Sequence, residues 1–246
     1  LHPGDIRLIL AAGVLLALHF ATWIGSLKFT SVAHSLTLES THPVIAILLS
    51  PLLLKERAEK RSRIAVVFTL LGIIIVAGVD LEFRTRQLWG DLLALSSALF
   101  VTLYLFVARH LRERIDLVTY LLYVYGAAMV VLLVFNFFID ASLYRYSWKV
   151  HFLLVLLALI PTGVGHSLLN WAARRVKAYK VNLTILGEPV LASILAFLFF
   201  REMPGKWFFV GAILILTGIG LAIFETSEVE QSSPEEIVDS GETNTH

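Results

Sequence analysis

Apolar runs long enough to cross a bilayer recur along most of this chain, and they constrain its fold more than any motif does. In hydrocarbon every backbone N–H and C=O must be bonded within the protein, so only helices and closed barrels can span. Strand-type alternation is absent, which argues against a transmembrane barrel. Eight helical spans are expected, at roughly 6–27, 31–54, 63–80, 89–108, 117–139, 149–172, 178–200 and 206–224. The third is short and either stands upright or thins the bilayer locally. Composition agrees: 57% of residues are hydrophobic and 16% charged, with mean hydropathy +0.79, whereas a soluble domain carries about 25% charged residues. The fold class is therefore an all-α polytopic membrane protein.

Other classes are narrowed in the same way. No basic patch is interleaved with aromatic residues, so nucleic acid is not an expected partner. There are no cysteines, which removes disulfides and thiolate metal sites. The first residues lack a basic region followed by a small-residue cleavage site, so no signal peptide is evident. The chain begins with Leu1 rather than Met, which points to a start further upstream or a removed segment.

Loop charges orient the spans. Arg7 and the segments 55–63, 109–114 and 174–180 carry 13 Lys and Arg, while Lys28, Arg84, Arg86, Arg145, Lys149, Arg201 and Lys206 make 7 on the other side. The positive-inside rule then places both termini in the cytoplasm, with the cluster at 55–63 as a topology determinant. Trp89, Tyr144, Tyr146, Trp148 and Trp207 fall at span ends, where they suit interfacial anchoring. From Glu225 onward the chain has seven acidic residues and no Lys or Arg, the composition of a disordered cytoplasmic tail.

Two acids lie deep within the spans, Glu39 and Glu188, each close to a proline. An ionisable group in hydrocarbon is costly and needs a reason. The stretches around them repeat. His19 aligns with His166, Ile24 with Trp171, and Leu36-Thr37-Leu38 with Leu183-Thr184-Ile185 at one offset. One residue is then gained in the first copy, within Glu39–His42. After it, His42-Pro43-Val44 aligns with Glu188-Pro189-Val190, Lys55-Glu56 with Arg201-Glu202, and Gly72-Ile73 with Gly218-Ile219. Span one begins on the opposite side from its counterpart at 149–172, so the copies are inverted. Spans four and five have no partner, and two further helices are expected before Leu1. The chain then divides into a three-helix remainder of a first repeat (1–88), a complete second repeat (89–224) and the tail (225–246).

Spacing gathers the polar groups. Ser35, Glu39, His42 and Ala46 recur at i, i+4, i+7 and i+11 and share a helix face, as do Thr184 and Glu188. His19 and Trp23 are i, i+4, and Thr162, His166 and Asn170 are i, i+4, i+8. One water-filled cavity is a common destination. Each residue also has a structural alternative. A buried carboxylic acid can stay protonated and bond a neighbouring helix, and Ser35, Thr184 and Asn170 can act as interhelical glue. Trp23 and Trp171 can be cavity walls or packing. Gly72, Gly78, Gly211, Gly218 and Gly220 permit close helix approach. Pro43 and Pro189 are expected kinks at matching depth, which point to the binding region of an inverted-repeat transporter.

The runs LKFTSVA, THPVIAILLSPLLLKE, GDLLALSSALFVTLYLFVAR and GEPVLASILAFLFFRE, followed by a glycine-containing final span, resemble the EamA-type members of the drug/metabolite transporter superfamily over nearly all of residues 5–224. The resemblance implies ten helices in two inverted five-helix repeats, a central cavity, alternating access, and placement in a bacterial plasma membrane. Members move amino acids, related metabolites or drugs. The expected site comprises His19, Trp23, Ser35, Glu39, His42, His166, Asn170, Thr184 and Glu188, with Glu39 and His42 as proton-coupling candidates; facilitated diffusion also fits. The expected partners are a small-molecule substrate and the bilayer, and no cofactor or metal is implied. A membrane scaffold or regulatory subunit is the alternative. An intramembrane enzyme is disfavoured because HExxH, GxSxG and paired intramembrane aspartates are all missing.

Overall fold

The computed structural model describes residues 2–30, 32–77, 85–112, 114–139, 146–201 and 207–231. Gly78, Arg84, Tyr144, Arg145, Glu202, Lys206 and the tail beyond Gln231 lie outside the described residues. Within them the regular structure is helical. The chain runs through α1 (Pro3–Ser26), α2 (Val32–Glu39), α3 (His42–Leu53), α4 (Lys60–Ala77), α5 (Thr85–Leu111) and α6 (Leu117–Ile139). It continues through α7 (Trp148–Leu157), a π-helical segment (Ala158–His166), α8 (Ser167–Ala173), α9 (Ala178–Ile185), α10 (Glu188–Phe200) and α11 (Phe208–Gln231).

Two of the expected spans are not continuous. The second is split into α2 and α3 at Ser40–Thr41, and the seventh into α9 and α10 at Leu186–Gly187. The prolines explain where. Proline has no N–H for the carbonyl four residues earlier, and its ring crowds that carbonyl. Pro43 therefore leaves Glu39, the last residue of α2, without its helical partner, and Pro189 does the same to Ile185, the last residue of α9. Each proline becomes the second residue of the next helix, where a missing N–H costs no bond. Kinked continuous helices were expected at these prolines; the outcome is a break.

Local hydrogen bonds close the first break. Ser40 Oγ donates to Leu36 O at 2.6 Å and Thr41 Oγ1 to Leu38 O at 2.7 Å, while the Thr41 N–H bonds Leu38 O at 3.1 Å. Hydroxyls next to freed carbonyls are a usual remedy inside a membrane.

Span six follows the same rule more gently. Pro161 cannot bond Leu157, and α7 ends at Leu157. Here the ladder shifts to π spacing instead of breaking. Tyr125 OH donates to Thr162 O at 3.1 Å, and Ser167 Oγ donates to Gly163 O. The π turns deliver His166 at their end and hand over to α8.

Packing joins the two halves. α1 lies along α5 and α6, α5 also meets α2, α3, α8 and α9, α3 packs on α9, and α4 pairs with α11. Ile9, Leu16, Tyr104, Leu105, Leu111 and Tyr120 are fully buried in the core between α1, α5 and α6. The α4–α11 contact is reciprocal. A Cβ on Gly72 would lie 2.6 Å from Gly211 O, and one on Gly218 2.6 Å from Ala65 O. Adding 146 to Ala65 and Gly72 gives Gly211 and Gly218, so one contact maps onto the other. A two-fold relation between the helices produces such pairing. Lys55 and Arg201, matched by the same offset, both have φ 58° just after α3 and α10.

Many large apolar side chains point outward, among them Leu52, Leu122, Phe137, Leu153 and Ile213. Trp89, Tyr146, Trp148 and Trp207 are exposed at or near helix ends.

Candidate functional site

The polar residues gather at mid-chain positions of α1, α5 and α8, and at the broken ends of α2, α3 and α9. His19, on α1, sets its Nδ1 2.9 Å from Ser97 Oγ of α5. The His19 and His166 rings stand edge to face with centroids 6.2 Å apart, and Phe20 and Tyr104 sit 5.3 and 6.0 Å from His166. Asn170, one turn beyond His166, is wholly buried. Its Nδ2 donates to Tyr104 OH and to His166 O. Two buried atoms of this group carry no hydrogen bond among the described residues: His166 Nδ1 and Asn170 Oδ1. An unpartnered buried polar atom costs about 1–3 kcal/mol, so these two are open valences for a ligand or water.

A second group surrounds the first break. His42 opens α3, and its Nδ1 is 2.9 Å from Asn182 Oδ1 on α9. Asn182 Nδ2 donates to Ala178 O at 2.9 Å, which orients the amide oxygen toward the ring. His42 Nδ1 is therefore the protonated, donating nitrogen, and Nε2 is left to accept or bind a second proton. Thr102 Oγ1 donates to His42 O at 3.2 Å. Glu39 terminates α2 and is 8% exposed. Its carboxyl lies within electrostatic range of Glu188, and His19 lies within range of both His166 and His42. The two groups thus form one neighbourhood.

The expected residues divide accordingly. His19, His42, His166 and Asn170 come together, and Glu39 is buried near Glu188. Ser35 is buried beside Ser26 of α1, Oγ to Oγ 2.6 Å, and acts as interhelical glue. The face shared by Ser35, Glu39, His42 and Ala46 is buried across the break. Thr184 and Glu188 are exposed, and Thr184 Oγ1 bonds Val181 O of its own helix at 2.7 Å. Trp23 is half-buried. Trp171 turns outward, 47% exposed, with the Arg175 guanidinium 3.9 Å above its ring; it is not core packing. The side chain of Pro189 lies outside the described residues.

Four residues were not anticipated: Ser97, Thr102 and Tyr104 of α5, and Asn182. For Asn182 a signal existed, because the offset that pairs His19 with His166 pairs Ser35 with Asn182. α5 has no counterpart in the repeat, so no register marks its polar face.

The helices Pro3–Ser26, Leu88–Leu111, Leu117–Phe138 and Trp148–Ala173 are each long and apolar enough to cross a membrane. With broken spans and buried ionisable groups between them, they define an integral membrane protein of the helical class. The chain belongs to the EamA-like transporter family, whose profile matches residues 1–78 and 88–224. It is 24% identical over 216 residues to an uncharacterized transporter of Archaeoglobus fulgidus, covering 88% of this chain and 76% of that protein. The uncharacterized transporter YdfC of Bacillus subtilis is 24% identical over 214 residues, 87% of this chain and 69% of YdfC. A protein of known crystal structure superimposes with a TM-score of 0.73 at 15% identity, over 92% of this chain and 88% of that chain, and so shares the fold.

Proposed function

We propose that the chain is a secondary transporter of small organic metabolites, such as amino acids or drugs, working by alternating access between two inverted halves, 1–88 and 89–224. The single observation that carries this reading is the pair of helix breaks at matched prolines, with Glu39 and His42 flanking one break and Glu188 beginning the helix after the other. Non-helical backbone at membrane depth persists where it lines a cavity, and half-helix ends there supply carbonyls and N–H groups to a substrate. His19, Trp23, Glu39, His42, His166, Asn170, Thr184 and Glu188 line the site. His166 Nδ1 and Asn170 Oδ1 meet the polar group of the substrate.

Glu39 and His42 carry a proton across. A buried carboxyl is tolerated neutral and is costly when charged, so its proton leaves when the cavity opens to water on one side and returns on the other. Both termini lie in the cytoplasm. Reconstitution into liposomes tests the reading. With an imposed pH gradient, uphill accumulation is expected for the parent chain and lost in Glu39→Gln, while downhill exchange persists. Gradient-driven accumulation that is unchanged in Glu39→Gln removes Glu39 as the coupling group.

A further inference from the structure

The ends of α3, α5 and α8 and the start of α9 meet on the side where α1 begins, and they are tied there by charge. Glu56, two residues beyond the α3 C-cap, is the centre. Its Oε1 accepts from Arg109 Nε of α5 at 2.9 Å, and its Oε2 accepts from the backbone N–H of Ala178, the first residue of α9, at 3.1 Å. Arg109 also donates to Arg174 O, after α8, at 3.2 Å. Lys177 Nζ meets Glu59 Oε1 at 2.8 Å, and this contact holds the Lys177 ammonium above its usual pKa. α9 has no side-chain cap of its own at Lys177. Its first N–H is capped from another element, by a carboxylate placed where the helix dipole favours one.

These ties close a seam. α3 packs on α9 from His42–Asn182 at the break to Glu56–Ala178 at the end, with Ala46, Phe106, Ala178 and Tyr179 buried between. Under the repeat, α3 corresponds to α10 and α9 to α2. Among the described residues, α2 and α10 show no comparable packing, and Leu191, Leu195 and Leu198 of α10 are exposed. Among the described residues the α3–α9 seam is closed and charge-tied, and its counterpart shows no such ties.

We propose that Glu56, with Arg109 and the Ala178 N–H, and Glu59 with Lys177 form a latch that holds the α3–α9 seam shut, and that the latch opens in each transport cycle. The partners are groups of the chain itself, so release needs no added ligand. The proposal rests on the transporter reading, but its test does not require a substrate. The chain has no cysteines, so Ala46→Cys places one thiol inside the closed seam, where Ala46 is fully buried. A membrane-impermeant maleimide is added to either face of sealed vesicles. With the latch intact, labelling is slow from the side of the α1 start. Adding Glu56→Gln is expected to speed labelling from that side by about tenfold or more, the worth of a charge-assisted hydrogen bond. Glu59→Lys is expected to speed it as well, and Glu59→Lys with Lys177→Glu to slow it again. Unchanged labelling in Glu56→Gln, a rise that is equal from both sides, or a swapped pair as fast as the single variant overturns the latch. Absent transport with the labelling pattern intact would instead count against the transporter reading.

Discussion

His42 shows how a single buried side chain can be positioned on both its backbone and its ring. Thr102 holds its carbonyl and Asn182 holds its Nδ1, so a residue of the first half has its free nitrogen oriented by two elements, α5 and α9, of the second. Replacing Asn182 with Leu strands the Nδ1–H in a dry site. The expected loss is about 1–3 kcal/mol, read as a lower thermal unfolding midpoint in detergent. Thr184→Ala, two residues on and exposed, is expected to stay within about 0.5 kcal/mol of the parent. Residue-level legibility followed the same divide. Ionisable groups inside apolar runs, such as Glu39 and His166, announce themselves because hydrocarbon makes them expensive. Ser97 and Thr102 do not, since a hydroxyl can bond its own helix and pass unnoticed, as Thr102 Oγ1 also does with Ala98 O at 2.8 Å.

At the scale of helices, proline and glycine set the shape. The expected bounds of α6 agree with the structure, since its apolar run ends cleanly and it holds no proline. The runs holding Pro43 and Pro189 were read as kinked but continuous spans and Pro161 was not singled out, because hydrophobicity reports length and not hydrogen-bond continuity. In each case the regular α-helix ends at the residue four before the proline, a rule that was available from the chain alone. Pro51 sits inside α3 without ending it, so a proline alone does not fix where a helix breaks. The glycines of the α4–α11 seam carry a sharper expectation. Gly72→Ala and Gly218→Ala each drive a Cβ into backbone at 2.6 Å, and overpacking of this kind costs about 1–3 kcal/mol. Because the contacts are reciprocal, the two losses should match. Gly126→Ala has nothing within 4 Å and should be neutral or gain up to about 1 kcal/mol from helix propensity. Unfolding midpoints of the three variants, measured side by side, check the ranking.

Across the whole molecule the inverted repeat organises the account, and the halves are unequal where it matters. The two breaks are equally long, but the first is flanked by Glu39 and His42 and the second by Ile185 and Glu188. The second copy contributes His166, Asn170 and Glu188, while α5, outside the register, supplies Ser97, Thr102 and Tyr104 to both. Glu56 and Glu59 tie the α3–α9 seam, and among the described residues its counterpart carries no such ties. The claim on which the rest depends is that a single binding site draws on both halves. The direct measurement is the affinity of a compound found by thermal stabilisation of the purified chain, compared across one substitution in each half. Glu39→Gln and Asn170→Leu are each expected to weaken binding by about tenfold or more. Loss of affinity with one substitution and full affinity with the other would place the site within a single half and contradict the account.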